Sequence, residues 1–299
     1  MHKLILTGST GKTGKHFIKL LSRARYSGKI FIFKKILNEK KYNKNKVKSL
    51  NIKYIKCDIN KIHIIKKNVS LFKNSYFLHT AGINFSKKII KFCKLNKVKW
   101  LITVHTSGKF SNYKSQSRQY IKIDNYLKKN RNNVGITILY PTMIYGTNND
   151  GNISKLVSIL KKFYFFLPVI GNGENLIQPV YFKDLSKAYL QILKNKTKTF
   201  NNEYVLAGKT PVKFIEVLKL ISLNLNKSFY FIKIPINLIL FINKIFNFLF
   251  KKFLLDNEMI LRMQEDRHFS ISPAQKDFKY RPLDFKRGLE ISFKNEYSL

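Results

Sequence analysis

Cysteine, acidic side chains, proline, glycine and tryptophan are all scarce in this 299-residue chain, and each scarcity excludes something. Two cysteines, Cys57 and Cys93, rule out a disulfide scaffold and a Cys-rich zinc module, and they fit a reducing compartment. Seven prolines and 13 glycines leave no linker-like low-complexity stretch, and no internal repeat is visible. No targeting signal stands out at the start, where Met1-His2-Lys3 leads straight into a strand-like run, so a cytoplasmic protein is expected. What the chain does have is apolar mass. Hydrophobic residues make up 44% and charged residues 24%, close to the globular average, which predicts a packed core and excludes general disorder.

The 16 acidic residues face 57 lysines and arginines, a formal charge of +41. Such a field attracts nucleic acid, anionic lipid and phosphorylated ligands alike. Its distribution argues against a specific nucleic-acid partner. Lysine is scattered through nearly every segment beside abundant Ile, Asn, Phe and Tyr, the residues that an A/T-rich genome favours. Arginine, which makes the bidentate contacts to bases and phosphates, is a small minority. Runs such as Lys40-Lys41-Tyr42-Asn43-Lys44-Asn45-Lys46 read as a solvated loop with no fixed binding geometry.

Leu4–Leu6, Ile30–Phe33, Ile52–Cys57, Ser75–His79, Trp100–His105 and Ile136–Tyr140 read as strands, separated by helical patterns such as Phe85–Leu95 and Ser117–Lys129. This alternation predicts right-handed βαβ units on a parallel sheet, in which ligands bind at the carboxyl ends of the strands. The expected fold class is α/β, a Rossmann-type doubly wound parallel sheet with a smaller, mostly helical C-terminal lobe. From about Asn152 the rhythm changes: Leu156–Phe166 reads as a helix, Gln178–Tyr181 as a short strand, and Leu185–Leu193, Pro211–Leu225 and Pro235–Leu254 as helices. The expected division is a nucleotide-binding domain over 1–151, with a returning segment near 176–207, and a substrate-binding lobe from 152–175 and 208–299.

Thr7-Gly8-Ser9-Thr10-Gly11-Lys12-Thr13-Gly14 lies between the first strand and the first helix. Glycines at 8, 11 and 14 let the backbone turn tightly, approach a pyrophosphate and pack helix against strand. The helix N-terminus then offers unpaired N–H groups and the positive end of a dipole to the phosphates. Gly11-Lys12-Thr13 mimics the end of a P-loop, but that motif needs a glycine at the position held by Leu6, so ATP hydrolysis is disfavoured. An NAD site normally carries Asp or Glu about 20 residues past the loop, on the ribose hydroxyls. Here the second strand ends Phe33-Lys34-Lys35, with cations suited to a 2′-phosphate, so NADP is the expected cofactor and NAD the alternative.

These segments resemble the short-chain dehydrogenase/reductase superfamily in its extended and atypical branches, the NAD-dependent epimerase/dehydratase group. Thr7–Gly14 is similar to that group's glycine loop. Asp58, in Cys57-Asp58-Ile59, matches the acid that meets the adenine, and Leu78-His79-Thr80-Ala81-Gly82 matches the segment closing over the cofactor. Val104-His105-Thr106-Ser107 stands where the family carries its Ser/Thr, and Tyr140-Pro141-Thr142-Met143-Ile144-Tyr145-Gly146 looks like its RPxxxYG. Gly171-Asn172-Gly173 with Gln178–Leu185, and Tyr280-Arg281-Pro282 with Gly288-Leu289, resemble later blocks, so the likeness runs from residue 4 to about 290.

The resemblance implies hydride transfer on a nucleotide-sugar or related phosphorylated substrate. Its cofactor contacts would be Gly8, Ser9, Thr10, Gly11, Lys12, Thr13 and Gly14 at the pyrophosphate, Lys34 at the ribose, Asp58 at the adenine, and Thr80, Ala81, Gly82 and Pro141. Gln178 and Tyr181 would face the substrate, and a homodimer is common in the family. The family's chemistry rests on a Tyr-x-x-x-Lys pair, whose ammonium lowers a phenol pKa from about 10, and on a Ser or Thr. Here Tyr113 leads to Ser117, while Lys114 lies next to it and so off its helical face. Another register takes Asp124 as the acid that follows the family's lysine, which puts Gln116 and Tyr120 in the Tyr and Lys positions. Tyr113 with Ser107 or Thr106 is the expected catalytic set, and a cofactor-binding sensor or assembly subunit without the proton relay is the alternative.

Pro235 opens the apolar stretch 236–254, in which Asn237, Lys244, Asn247 and Lys251 fall on one narrow stripe. Asn and Lys interrupt it too often for a membrane span, which needs about 20 mostly apolar residues. Packing as the core of the small lobe is the expected role, and peripheral membrane contact through 235–254 is the alternative.

Overall fold

Apolar runs that are buried on both faces can satisfy their backbones only inside a covered sheet, and the sheet's strands are such runs. The computed structural model describes residues 2–35, 49–62, 69–250 and 257–297. The lysine-rich run 40–46 lies outside them. β1 (Leu4–Thr7), α1 (Lys12–Arg23), β2 (Ile30–Lys34), β3 (Ile52–Lys56), α2 (Val69–Phe72), β4 (Tyr76–His79), α3 (Ser86–Leu95), β5 (Trp100–Val104), α4 (Lys114–Lys129) and β6 (Gly135–Pro141) follow in order. The later elements are β7 (Ile144–Tyr145), α5 (Ile153–Lys162), β8 (Phe166–Ile170), β9 (Leu176–Ile177), β10 (Val180–Tyr181), α6 (Phe182–Lys194), α7 (Lys196–Thr199) and β11 (Glu203–Leu206). β12 (Val212–Lys213), α8 (Phe214–Asn224), β13 (Tyr230–Ile234), α9 (Ile236–Phe250), α10 (Asn257–Arg262), α11 (Ser272–Phe278) and α12 (Phe285–Ser292) complete the chain.

Seven strands form one parallel sheet in the order β11-β6-β5-β4-β1-β2-β3. Strand order reverses between β1 and β4, the place where ligand crevices open in such sheets. Alternate residues feed opposite faces. Leu4 and Leu6 join α1, α6 and α11 in one core with Phe17, Tyr189 and Phe278, while Ile5, Phe31 and Phe77 join Phe92 and Leu127 of α3 and α4 in the other. The α/β parallel-sheet fold read from the alternation is thus the observed one.

A third core, built on Tyr145, Val157, Leu167, Val217 and Leu289, holds the C-terminal lobe. The segment near 176–207 sends α6 onto α1 and β11 onto the edge of the large sheet. Several sequence expectations fail in this half. The helix expected over Leu156–Phe166 stops at Lys162, and Phe166–Ile170 is instead strand β8, paired in parallel with the unforeseen β13. Of the strand expected over Gln178–Tyr181 only Val180–Tyr181 is strand (β10), with Gln178 and Pro179 between it and β9, and the helix expected from Pro211 starts at Phe214, after β12. Among its described side chains, helix α9 contributes none to the three cores. Leu238, Phe241, Ile242 and Ile245 are exposed, while Asn243 is deeply buried and donates to Asn257 Oδ1. The expected core role is therefore corrected for residues 236–247, and the side chains of 248–254 lie outside the described residues.

Candidate cofactor and substrate site

The glycine loop turns where β1 gives way to α1. Gly8 has φ +76°, and a Cβ there would lie 2.2 Å from Thr80 Oγ1 and 2.7 Å from the Thr80 carbonyl carbon. A Cβ on Gly14 would lie 2.3 Å from the Gly8 carbonyl oxygen, so the first turn of α1 can pack on the loop only without a side chain. Gly11 is the N-cap and meets nothing closer than 3.5 Å, leaving its outer side open. The first turn of α1 holds no acid that could compete for its N–H groups.

β4 locks this loop from beside it. Thr80 Oγ1 donates to Thr7 O at 2.9 Å, and the wholly buried His79 bridges Thr7 Oγ1 (2.7 Å) and Gly82 O (3.0 Å). Nε2 donates to the carbonyl, so Nδ1 accepts from the Thr7 hydroxyl and the ring is neutral. Burial pushes the imidazole down to about 4.

A cavity of about 440 Å³ opens at the carboxyl ends of β1, β2 and β3. Gly8, Ser9, Thr10, Lys34, Asp58 and Ala81 line it, six of the expected cofactor residues. Lys35, read with Lys34 as a cation for a 2′-phosphate, lines it too, and so do Phe33, Cys57, Asn60 and Phe85, which the sequence did not single out although they lie within four residues of a strand end or in the turn after β4. Asp58 accepts from Asn60 N at 2.9 Å and stands 3.5 Å from Lys35 Nζ, and these interactions hold its carboxyl below the ordinary value. Lys34 lies 4.4 Å from the Tyr54 ring centroid, and burial, then the charge of Lys15, lowers its pKa. Lys15, Lys34 and Lys35 therefore bring cations to this end of the site, and no acid stands at the end of β2 among the described residues.

The other expected cofactor residues are placed differently. Thr13 O accepts from Ser186 Oγ, and Gly82, with φ +106°, opens the turn after β4. Lys12 pairs with Glu296 at 2.8 Å, so its ammonium is engaged with the C-terminal segment. Pro141 is the buried last residue of β6, in register with Leu206, and does not line the cavity. The two residues expected at the substrate are both buried and engaged within the fold. Gln178 is buried, donates to Gly208 O and accepts from Phe269 N, both at 2.8 Å. Tyr181 packs its ring against Tyr145, Phe182 and Gly146, and burial pushes its phenol up to about 12.

β5 delivers Thr106 and Ser107 to the same edge of the sheet. Thr106 Oγ1 accepts from Gly108 N, which starts the turn Ser107–Phe110 and leaves its own proton to donate. Tyr113 is the half-buried N-cap of α4, and its hydroxyl has no hydrogen-bond partner among the described residues. Ser117, where a lysine would complete the relay, donates to Tyr113 O at 3.1 Å. Tyr120 packs its ring on Gly108, and its carbonyl accepts from His105 Nε2. The loop carrying Tyr113 is held from the C-terminal lobe. Glu265 accepts from Asn112 N (2.6 Å) and Ser111 Oγ (2.8 Å) and pairs with Arg267, while Glu258 accepts from Ser115 N (3.1 Å).

Behind this loop, Asp124 accepts from Tyr140 Oη at 2.5 Å and pairs with Lys109 at 2.9 Å. Lys109 thus places a positive charge directly beside Asp124.

No family model matches the chain. Solved structures match it almost end to end. A UDP-glucose 4-epimerase from Thermotoga maritima, solved with UDP-glucose, superposes with a TM-score of 0.70 at 15% identity, covering 99% of this chain and 98% of that one. A dTDP-glucose 4,6-dehydratase from Bacillus anthracis, solved with NAD, gives 0.69 at 15% identity over 98% and 96% of the two chains. This chain has the fold of the nucleotide-sugar epimerases and dehydratases. The resemblance to the extended short-chain dehydrogenase/reductases thus holds for the fold along nearly the whole epimerase/dehydratase scaffold. Among curated proteins, the mitochondrial NADH dehydrogenase [ubiquinone] 1 alpha subcomplex subunit 9 of Arabidopsis thaliana is 36% identical over 72 residues. That stretch is 24% of this chain and 17% of the relative.

Proposed function

We propose that this protein binds a nicotinamide dinucleotide, NADP in preference to NAD, and acts by hydride transfer on a nucleotide-sugar or a related phosphorylated substrate. The observation carrying this reading is the cavity between the Gly8–Gly14 loop and the ends of β2 and β3, where bare amides and cations meet. The dinucleotide would supply the hydride acceptor or donor. Tyr113, its hydroxyl unengaged among the described residues, would exchange the proton with a substrate oxygen oriented by Ser107 or Thr106. Tyr113→Phe is expected to leave NADPH binding within about twofold, read by fluorescence titration, and to lower turnover by about 10²–10⁴-fold. Unchanged turnover in that variant removes Tyr113 from the chemistry.

The pocket cations lead to a second expectation. Lys34→Glu should weaken NADPH at least about tenfold, or about 1.4 kcal/mol, and leave NADH nearly unaffected. Equal losses for both coenzymes would dismiss the 2′-phosphate assignment.

One observation favours a second reading, a cofactor-binding sensor or assembly subunit without turnover. The place of the relay lysine is held by Ser117, whose hydroxyl is engaged with the helix backbone, and Lys109 is committed to Asp124. The partial likeness to a subunit of a larger NADH dehydrogenase accords with it. NADPH binding without substrate-dependent oxidation, and no further loss in Tyr113→Phe, would favour this reading.

A further inference from the structure

Phe163, Tyr164, Phe165 and Phe166 form four consecutive exposed aromatic residues, with Tyr164 and Phe165 each 76% exposed. They are held in place. Lys227 Nζ donates to the carbonyls of Leu160, Lys161 and Phe163 at the end of α5 and lies 5.2 Å from the centre of the Tyr164 ring. The run continues into β8, whose pairing with β13 sets Phe166 beside Tyr230 and Pro168 beside Ile232 on the outward face of a two-stranded ribbon. The Phe166 and Tyr230 rings are 6.3 Å apart, and Tyr230 is 74% exposed. Through Pro235 the ribbon passes directly into α9, where Leu238, Phe241, Ile242 and Ile245 are exposed at i, i+3, i+4 and i+7, one helical face.

The segments that carry this surface hold charge of one sign along the sequence, and Glu174 and Asp266 meet Lys233, Pro235 and Ile236 at the Pro235 end of the ribbon. No Asp or Glu occurs between Asp150 and Glu174, a stretch that carries Lys155, Lys161 and Lys162. None occurs between Glu216 and Asp256, a stretch that carries Lys219, Lys227, Lys233, Lys244, Lys251 and Lys252. Exposed aromatic and aliphatic surface of this extent, continuous along the chain through Pro235, marks an interaction site rather than an ordinary surface. Aromatic rings with lysines beside them suit the boundary between headgroups and acyl chains. A second copy of the chain is the poorer occupant, because it would press two lysine-bordered faces of molecules at +41 against each other. No helix among the described residues is long and apolar enough to cross a membrane, so the contact lies in the plane of the interface.

We infer that the aromatic run 163–166, the outer face of the β8–β13 ribbon and the exposed face of α9 form a docking surface for an anionic lipid bilayer. Trp100 is the chain's only tryptophan and is wholly buried, so a Phe165→Trp variant places a reporter at the surface. With phosphatidylcholine/phosphatidylglycerol vesicles its emission should shift to the blue and be quenched by acyl-chain bromination, an effect absent with pure phosphatidylcholine. A Phe165→Ser/Phe241→Ser variant, which keeps every lysine and alters only exposed side chains, should sediment with anionic vesicles at least tenfold less while melting at the same temperature as the parent. Binding undiminished in that variant would mean adsorption by charge alone and would overturn the inference. So would a reporter that stays unshifted with vesicles, including the case in which light scattering finds a stable homodimer that covers residue 165.

Discussion

Gly8→Ala should unfold at markedly lower urea and lose dinucleotide binding. Two independent penalties act at this position. A left-handed backbone conformation costs a non-glycine residue roughly 1–2 kcal/mol. Forcing a methyl group into a closed contact costs typically about 1–3 kcal/mol more. The obstructing atoms include Thr80 Oγ1 at 2.2 Å and the Thr80 carbonyl carbon at 2.7 Å. The hydroxyl donates to Thr7 O, and its backbone is tethered to β1 by the Thr80 N–H, so neither can retreat cheaply. The summed loss is on the order of 2–5 kcal/mol, large against the marginal stability of any domain. Gly11→Ala is the informative partner. Its Cβ would meet nothing within 3.5 Å, so the melt should be close to the parent's while NADPH affinity falls, because the methyl group occupies the side left open at the head of α1. If both variants bind NADPH within about twofold of the parent, the loop is not a pyrophosphate cradle.

The second large effect is expected away from the cavity. Lys109→Met removes the cation that pairs with Asp124 where both side chains are buried. Stripping one partner from a buried pair costs about 3–5 kcal/mol, because the remaining charge stays out of water without compensation. Lys128, at 3.3 Å and less buried, should recover part of that. Urea melts of Lys109→Met, Asp124→Asn and the double variant would measure the coupling, and additive losses would mean that the pair does not act as a unit.

The same pair sets an acid limit. Burial alone would raise the Asp124 carboxyl, but hydrogen bonds from Tyr140 and Lys109 and the charges of Lys109 and Lys128 outweigh it and hold the group below its usual 3.8. A folded carboxyl held below its unfolded value contributes stability above the unfolded value, and that contribution is lost as pH falls through the folded one. Lys109→Met should therefore move acid unfolding to higher pH. Burial and the bonds to Asp124 and Glu203 push the Tyr140 phenol upward, so it remains a donor throughout this window.

Neutral His79 illustrates how far local reading reaches. Its place at the end of the fourth strand was legible, since Leu78-His79-Thr80-Ala81-Gly82 matches the segment that closes over the cofactor. Its bridge from Thr7 to Gly82 was not, because Thr7 lies 72 residues away and pairs with His79 only through the β1–β4 register. Asp124 shows the same limit. It was recognisable as an acid of the right helix, while its partner Lys109 lies 15 residues back in a turn whose shape depends on Thr106 capping Gly108. That Gln178 would bond Gly208 and Phe269, and Tyr181 pack on Tyr145, was not legible, because a polar or aromatic residue near a strand carries no mark of which way its side chain turns.

Periodicity and punctuation determined the parallel sheet, the glycine loop with its lysine-ended second strand, and the absence of a P-loop glycine at Leu6. Those features arise from contacts within one turn or one strand, which neighbouring residue types dictate. Tertiary structure alone decided that Glu265 and Glu258 would hold the Tyr113 loop, that Lys109 would answer Asp124, and that α9 would leave its apolar face outside every core. Such outcomes depend on which distant segments compete for the same buried space, a competition that no local pattern of side chains encodes.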